Sequence, residues 1–373
     1  MNLRAVRQIV GFVVAFALLG ALLQALTRQS ASRDGSAVGA PPNTVRLKGE
    51  PHEYAALDPN CPSLLLLGSS QLGTVTSATR GGQVTWEHPR TTIDLLATRS
   101  QLPRACFVRV ALGAILPAEM ATFAAYQVTT VAAPKLVILE LHWESLAHDN
   151  SFREAPRHLL ANRRFREAFF RDLEAAAAPP AFVAALRSRA REVDAVEKAT
   201  ADKPLGARLD EPLLSRASEL FPWFASIRTQ TAIFRLVMLP IMGLMTQGST
   251  TNVHPVVPTH LQMNLDAARG LAAYLKHKNV PFLVYFGPRR HDLPPMTALR
   301  GEAEAIAGLQ RDFERLGATV LDFREAIPDD QFGWVGDNPD RMHFGLAGHQ
   351  TIAERLLREG RAAGLFAGLE AAR

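Results

Sequence analysis

Residues 63–73 read SLLLLGSSQLG. The run Ser63 to Leu67 is short, almost wholly apolar and bounded by Pro62 and Gly68. An apolar run without polar alternation suits an inner strand of a parallel sheet, covered on both faces. A serine directly after such a strand stands at the carboxyl edge of the sheet, where open α/β folds bind their ligands. Gly68 permits a tight turn, which puts Ser70 in the first turn of the next helix, with its own N–H free to face an oxyanion. Alone, Gly-Ser-Ser is common in ordinary turns, so its meaning depends on the rest of the chain.

Outward from this stretch, strand and helix alternate. A helix is expected over Thr91 to Arg99, a strand over Cys106 to Leu112, and an alanine-rich helix opened by Pro117 and running to about Ala133. Proline is tolerated at a helix start, where its missing N–H costs no hydrogen bond. Leu136 to Leu141 reads as a third strand. Downstream, Leu261 to His277 is helical, Val280 to Phe286 is an apolar strand ending in GPRR, and Leu293 to Leu316 is a long helix. Thr319 to Phe323 is a further strand and Gly345 to Glu359 the closing helix. Alternation at both ends of the chain gives a three-layer α/β/α sandwich with a parallel sheet. Strand signals vanish over 149–260, which is expected to form a mainly helical insertion. Its stretch Phe221 to Met245 is dense in Phe, Met, Leu and Ile with only Arg228 and Arg235 charged, and reads either as a buried helix and loop or as a surface for a membrane or membrane partner.

The base is sought near the other end, where residues 340–351 read DRMHFGLAGHQT. A serine hydroxyl needs a base to remove its proton. Three residues separate Asp340 from His343, so on a turn the carboxylate can accept the imidazole Nδ1–H and leave Nε2 for Ser70. Asp340 then orients the ring and stabilises its charged form. A helix cap or a metal ligand pair is the other reading of these two residues. No compact His/Asp/Glu set completes a metal site, and neither metal nor cofactor is expected. His349 reads as structural.

These blocks resemble the SGNH (GDSL-type) hydrolase superfamily, whose nucleophile follows the first strand and whose base lies in a late Asp-x-x-His. The corresponding residues are Gly68-Ser69-Ser70, Asp340-Arg341-Met342-His343-Phe344 and Gly348-His349. The resemblance implies an oxyanion hole from the Ser70 N–H and the Gly113 N–H. The superfamily's usual third donor, an Asn after the third strand, is missing, and Glu140, His142 and Trp143 occupy that edge instead. His142 or Trp143 is expected either to donate there or to wall the substrate pocket. Arg289 and Arg290, just past a strand at the same edge, either hold an anionic polymer or phosphate or are solvated surface residues. The missing Asn, the expected amino-terminal anchor and the Gly-Ser-Ser form are together similar to a narrower group, the D-alanyl transfer and alginate-type O-acetylation proteins. That likeness implies an O-acyltransferase working through a Ser acyl-enzyme, a glycan or polymer acceptor, and a membrane-bound O-acyltransferase as partner. An extracytoplasmic carboxylesterase of the same fold is the alternative, and a non-catalytic scaffold the third reading.

Composition bounds the setting. A formal net charge of +5 is scattered rather than gathered into an aromatic-interleaved stripe, which argues against nucleic acid. No Gly-x-Gly-x-x-Gly or Walker-type loop marks a nucleotide site. Ile9 to Leu23 carries no charged or strongly polar residue and follows Arg4 and Arg7. Residues 1–28 are therefore expected to anchor the chain in a membrane through 8–26, or to be a signal peptide, with a flexible spacer over 29–55 and the catalytic domain over 56–373. The expected location is a bacterial inner membrane with the domain in the periplasm. The only cysteines, Cys61 and Cys106, each lie seven residues before a glycine, Gly68 and Gly113. On neighbouring parallel strands they would reach each other as a disulfide; two buried free thiols are the other reading.

Overall fold

The computed structural model describes residues 63–80, 85–86, 90–102, 106–111, 115–131, 133–147, 154–201, 253–335 and 338–370. Most of them belong to one compact unit, residues 41–194 and 251–373; of the second unit, 1–40 and 195–250, only 195–201 is described.

The apolar runs form the strands. They are β1 (Leu64–Gly68), β4 (Phe107–Ala111), β5 (Leu136–Leu141), β6 (Phe282–Phe286) and β7 (Thr319–Asp322). The short pair β2 (Thr74–Val75) and β3 (Thr85–Trp86) and the hairpin β8 (Phe332–Val335) and β9 (Asn338–Phe344) lie outside the main sheet. The main sheet is parallel throughout, in the order β4-β1-β5-β6-β7. Its winding reverses between β1 and β5, and it is at the carboxyl ends of such a pair that doubly wound sheets take their ligands.

Alternation along each strand sorts the side chains into two cores. Leu65, Leu67, Val137, Leu139, Val284 and Phe286 face the helices Pro117–Tyr126, Pro258–His277 and Glu302–Arg315. Leu64, Leu66, Ile138, Leu283 and Tyr285 face the helices Thr92–Ser100 and Leu346–Ala362. All four leucines of β1 are fully buried, each contributing about 1.5–3 kcal/mol by leaving water. The result is the expected three-layer α/β/α sandwich.

Between β5 and β6 the chain makes the expected helical insertion, with Glu154–Ala161, Arg163–Ala175 and Pro180–Ala201. Asn162 divides the first two, its side chain accepting from Phe165 N and so capping the second. The insertion packs on the outside of one helical layer through rings: Phe165 against Tyr126 and Phe169 against Tyr274, both edge-on. Phe182 lies on Gly270, where a Cβ would come within 2.2 Å of it.

Several expectations change. The helix expected from Leu293 begins only at Glu302, after Pro294 and Pro295 and with Gly301 in the left-handed region. The helix from Pro117 is regular only to Tyr126 and ends in a wider turn over Gln127–Val131. Among the described residues, no helix is long and apolar enough to cross a membrane. The expectation of a single-pass membrane protein with a periplasmic domain and a membrane-bound O-acyltransferase partner is corrected to that finding, while the contact expected through residues 8–26 falls outside the residues it covers. Residues 1–28, the spacer 29–55 and the apolar stretch Phe221 to Met245 lie outside the described residues. Cys106 is disulfide-bonded; Cys61 also lies outside the described residues.

Candidate active site

The turn after β1 is a single 3₁₀ coil, Ser70–Leu72. Ser69 caps it, its hydroxyl accepting from Gln71 N at 3.2 Å. Ser70, 8% exposed, is the first residue of the coil. Its N–H is among the groups that a helical turn leaves without an internal partner, and it makes no hydrogen bond among the described residues.

Ser70 Oγ lies 2.8 Å from His343 Nε2, and His343 Nδ1 lies 2.9 Å from Asp340 Oδ2. An ionised carboxylate only accepts, so the ring proton sits on Nδ1 and Nε2 is left to accept from the serine hydroxyl. The second oxygen of Asp340 accepts from Met342 N at 2.8 Å and His343 N at 2.9 Å. Burial alone would push the Asp340 carboxyl up; the His343 hydrogen bond and charge and the two backbone N–H groups overcome it and hold the group below the usual carboxylate range.

The hairpin carrying Asp340 and His343 is tied to the serine turn. Gln71 Nε2 donates to the Met342 carbonyl, and to the Pro288 carbonyl at 3.1 Å. Thr76 donates twice to the same hairpin, through Oγ1 to His343 O and through N to Phe344 O, both at 3.2 Å. Arg290 Nη1 donates to the Asp340 carbonyl at 3.2 Å while its Nε and Nη2 hold Asp292. Nothing in the sequence marks Thr76 as a brace. Gln71 carries a weak signal, an amide directly after the serine.

Beneath the serine turn lies a second set of polar groups. Glu140, fully buried at the end of β5, accepts through Oε2 from Ser69 N at 2.7 Å and Ser69 Oγ at 2.9 Å. Its Oε1 accepts from Tyr285 OH at 2.8 Å. His142 Nε2 lies 3.4 Å from Glu140 Oε2, a charge contact rather than a hydrogen bond. Burial would push the Glu140 carboxyl up, but the His142 charge with the Tyr285 and Ser69 donors lowers it. Burial would likewise lower His142, and the Glu140 charge outweighs it and raises the imidazole.

Of the other expected site residues, several are engaged elsewhere. Trp143 Nε1 donates to the Ala298 carbonyl at 2.8 Å, which removes it as an oxyanion donor. His142 faces Glu140 rather than Ser70. Arg289 is paired with Glu302 at 2.5 Å and Arg290 with Asp292 at 2.5 Å, so neither presents a bare cation for a polymer or phosphate. Gly113 lies outside the described residues. His349 is structural: Nδ1 accepts from Thr92 N at 3.2 Å, and Nε2 donates to the Thr74 carbonyl at 3.0 Å. Among the described residues, no group of three or more His, Cys, Asp or Glu side chains is placed to hold a metal ion.

No protein-family model and no curated protein matches this chain. Solved structures give a remote likeness to esterase and hydrolase folds. A family two carbohydrate esterase from Clostridium thermocellum, in complex with cellohexaose, is 9% identical at a TM-score of 0.39, over 82% of this chain and 66% of its own. An alpha/beta hydrolase enzyme from the metagenome of Lake Arreo, Spain, is 16% identical at a TM-score of 0.36, over 83% of this chain and 97% of its own. An aryl esterase of M. smegmatis is 13% identical at 0.31, over 80% and 99%. The chain thus spans just under two thirds of the carbohydrate esterase. At such scores the likeness decides neither substrate nor mechanism, and it does not single out the SGNH superfamily or the D-alanyl transfer group.

Proposed function

We propose that this chain is a serine esterase that works through an acyl-enzyme on Ser70, with His343 as base and Asp340 as the group that orients it. The observation that carries the reading is the unbroken series from Ser70 Oγ to His343 Nε2 at 2.8 Å and from Nδ1 to Asp340 Oδ2 at 2.9 Å. Both distances lie within the reach that a nucleophile, its base and the orienting carboxylate require.

In this mechanism His343 Nε2 takes the hydroxyl proton as Ser70 Oγ bonds to the ester carbonyl carbon. The oxyanion faces the Ser70 N–H, with Gly113 proposed as the second donor. The imidazolium hands its proton to the leaving alkoxide oxygen as the ester C–O bond breaks. Water then gives a proton to the same nitrogen and attacks the acyl carbon, releasing the carboxylic acid and restoring Ser70. A glycan hydroxyl in place of that water would give O-acyl transfer, the finer reading implied by the family resemblance.

Full-length protein with p-nitrophenyl acetate, alone and with added saccharide, tests the proposal. Turnover with water that is lost in S70A supports the esterase. Acetylated saccharide formed at the expense of free acetate replaces hydrolysis with transfer. Equal turnover by S70A and the wild type overturns both.

A further inference from the structure

The set of buried groups under the serine turn has no place in the proton relay, and it is costly to hold. A buried ion pair must offset the loss of water around both charges, and well-packed apolar side chains are often as stable. The neighbouring β5 residues Leu136 to Leu139 are all apolar and buried. The sheet is also cut back to make room for the pair. Gly68, one step beyond the Leu67–Leu139 register pair, lies beside Glu140, where a Cβ would meet Oε2 at 2.6 Å. Gly287, one step beyond the Leu141–Phe286 pair, lies beside His142, where a Cβ would meet the ring at 2.0 Å. Glycines at the ends of both strands flanking β5 thus admit this pair and no larger neighbour.

Resting on the esterase reading of Ser70, we propose that Glu140 is a positioning residue for the nucleophile, with His142 as its counter-charge. One carboxylate oxygen accepts both the N–H and the hydroxyl of Ser69. The same hydroxyl oxygen accepts from Gln71 N, so the residues on either side of Ser70 are fixed through one anchor. A leucine at position 140 would leave three buried donors, two of Ser69 and one of Tyr285, without this acceptor. An uncompensated carboxylate this close would oppose the oxyanion that forms on the substrate; His142 keeps the pair neutral. Glu140 therefore sets where Ser70 Oγ stands relative to His343 without touching the substrate.

The test compares steady-state kinetics, thermal melting and phosphonate labelling rates for E140A, E140Q, S69A, Y285F and S70A in the full chain. Misplacing a reacting group by about 1 Å costs on the order of 10²-fold, so E140A is expected to lose about that factor in kcat at little changed KM. E140Q is expected to recover most of it, since its amide oxygen can still accept from Ser69. Y285F removes a hydrogen bond of the same carboxylate on the side away from the serine, and is expected to lower the melting temperature more than kcat. If E140A does not fold, S69A decides: a kcat loss of about tenfold with slower phosphonate labelling supports the inference. A folded E140A or S69A with wild-type kcat overturns it, as does a kcat loss that merely follows melting temperature across the set, Y285F included. An active S70A would instead remove the esterase reading itself.

Discussion

Asp340 and His343 lie three residues apart in one strand and still meet, Oδ2 to Nδ1, at 2.9 Å. In a regular strand such residues point to opposite faces. Here Phe332 pairs with Phe344 and Trp334 with Pro339, so five residue steps of β9 face two of β8. The excess looped out between Pro339 and Phe344 contains both side chains, and Asp340 Oδ1 closes it by accepting from Met342 N and His343 N. An irregularity in a hairpin re-aims the two groups toward one point, as bulges beside active sites do.

Asp340→Asn should keep the loop's shape but offer His343 an amide where it now has a carboxylate. The ring proton would lose its place on Nδ1 and Nε2 its readiness to accept. The expected result is a fall in kcat of about 10²–10⁴-fold with KM little changed, read from ester hydrolysis at neutral pH. A loss below about threefold would remove Asp340 from the role assigned to it.

Gly287→Ala adds one methyl group where the His142 ring already lies, with Cε1 at 2.0 Å and Nε2 at 2.3 Å from the new atom. Backbone or ring must move, which costs about 1–3 kcal/mol of stability and draws His142 away from Glu140. Chemical denaturation should show the lower stability, and kcat should fall in the fraction that remains folded. Wild-type stability in G287A would mean that the ring has room to spare.

Much of this was legible in the chain. Unbroken apolar runs such as Leu64 to Leu67 and Leu136 to Leu139 point to buried parallel strands, because four such residues between turn signals are too few for a helix. The serine block could likewise be placed at a strand end, whereas the Asp-x-x-His, expected on a turn before the closing helix, lies within β9. The hairpin β8–β9 was not legible: its strands carry Gly333, Pro339 and four polar or charged residues, with no alternation of period two. The true partners of Arg289 and Trp143 were hidden for another reason, since Glu302 and the Ala298 carbonyl come near only once the segment after β6 has turned, whereas Asp292 stands two residues from Arg290 in the sequence. Glu140 left a sharper signal, an acid one residue before the end of an otherwise apolar strand. Its meaning depends on Gly68 lying beside it, which only the strand order reveals.

His349→Ala should act on stability alone. The ring bridges the start of the helix Thr92–Ser100 to β2 through Thr92 N and the Thr74 carbonyl, and its face packs against Phe344 at 4.6 Å between centroids. Removing it leaves buried polar groups without partners, at about 1–3 kcal/mol. Urea unfolding should show that loss, while the folded variant keeps near wild-type kcat. A selective loss of kcat would bring His349 into the chemistry.

The pair beneath the turn gives stability a pH dependence of known sign. His142 faces Glu140 and Glu144, and its imidazole is raised above its ordinary value. The stability it brings is complete below about pH 6.5, the unfolded value, and is lost as pH rises through the raised folded value. Glu140 and Asp340 are lowered, so their contribution is present above about pH 4 and is lost as pH falls through their depressed values. Unfolding free energy measured across this range should decline on the alkaline side in the wild type and decline less in H142Q. Parallel curves would show that His142 does not titrate differently on folding.

The central claim is that the Ser70 hydroxyl, and no other, is made nucleophilic by His343. Intact mass and peptide mapping after treatment with a fluorophosphonate measure this directly. One adduct per chain, on Ser70, absent from S70A and much slower to form in H343A, is the expected result. An adduct of equal extent in S70A, or no adduct on the folded wild-type protein, would contradict it.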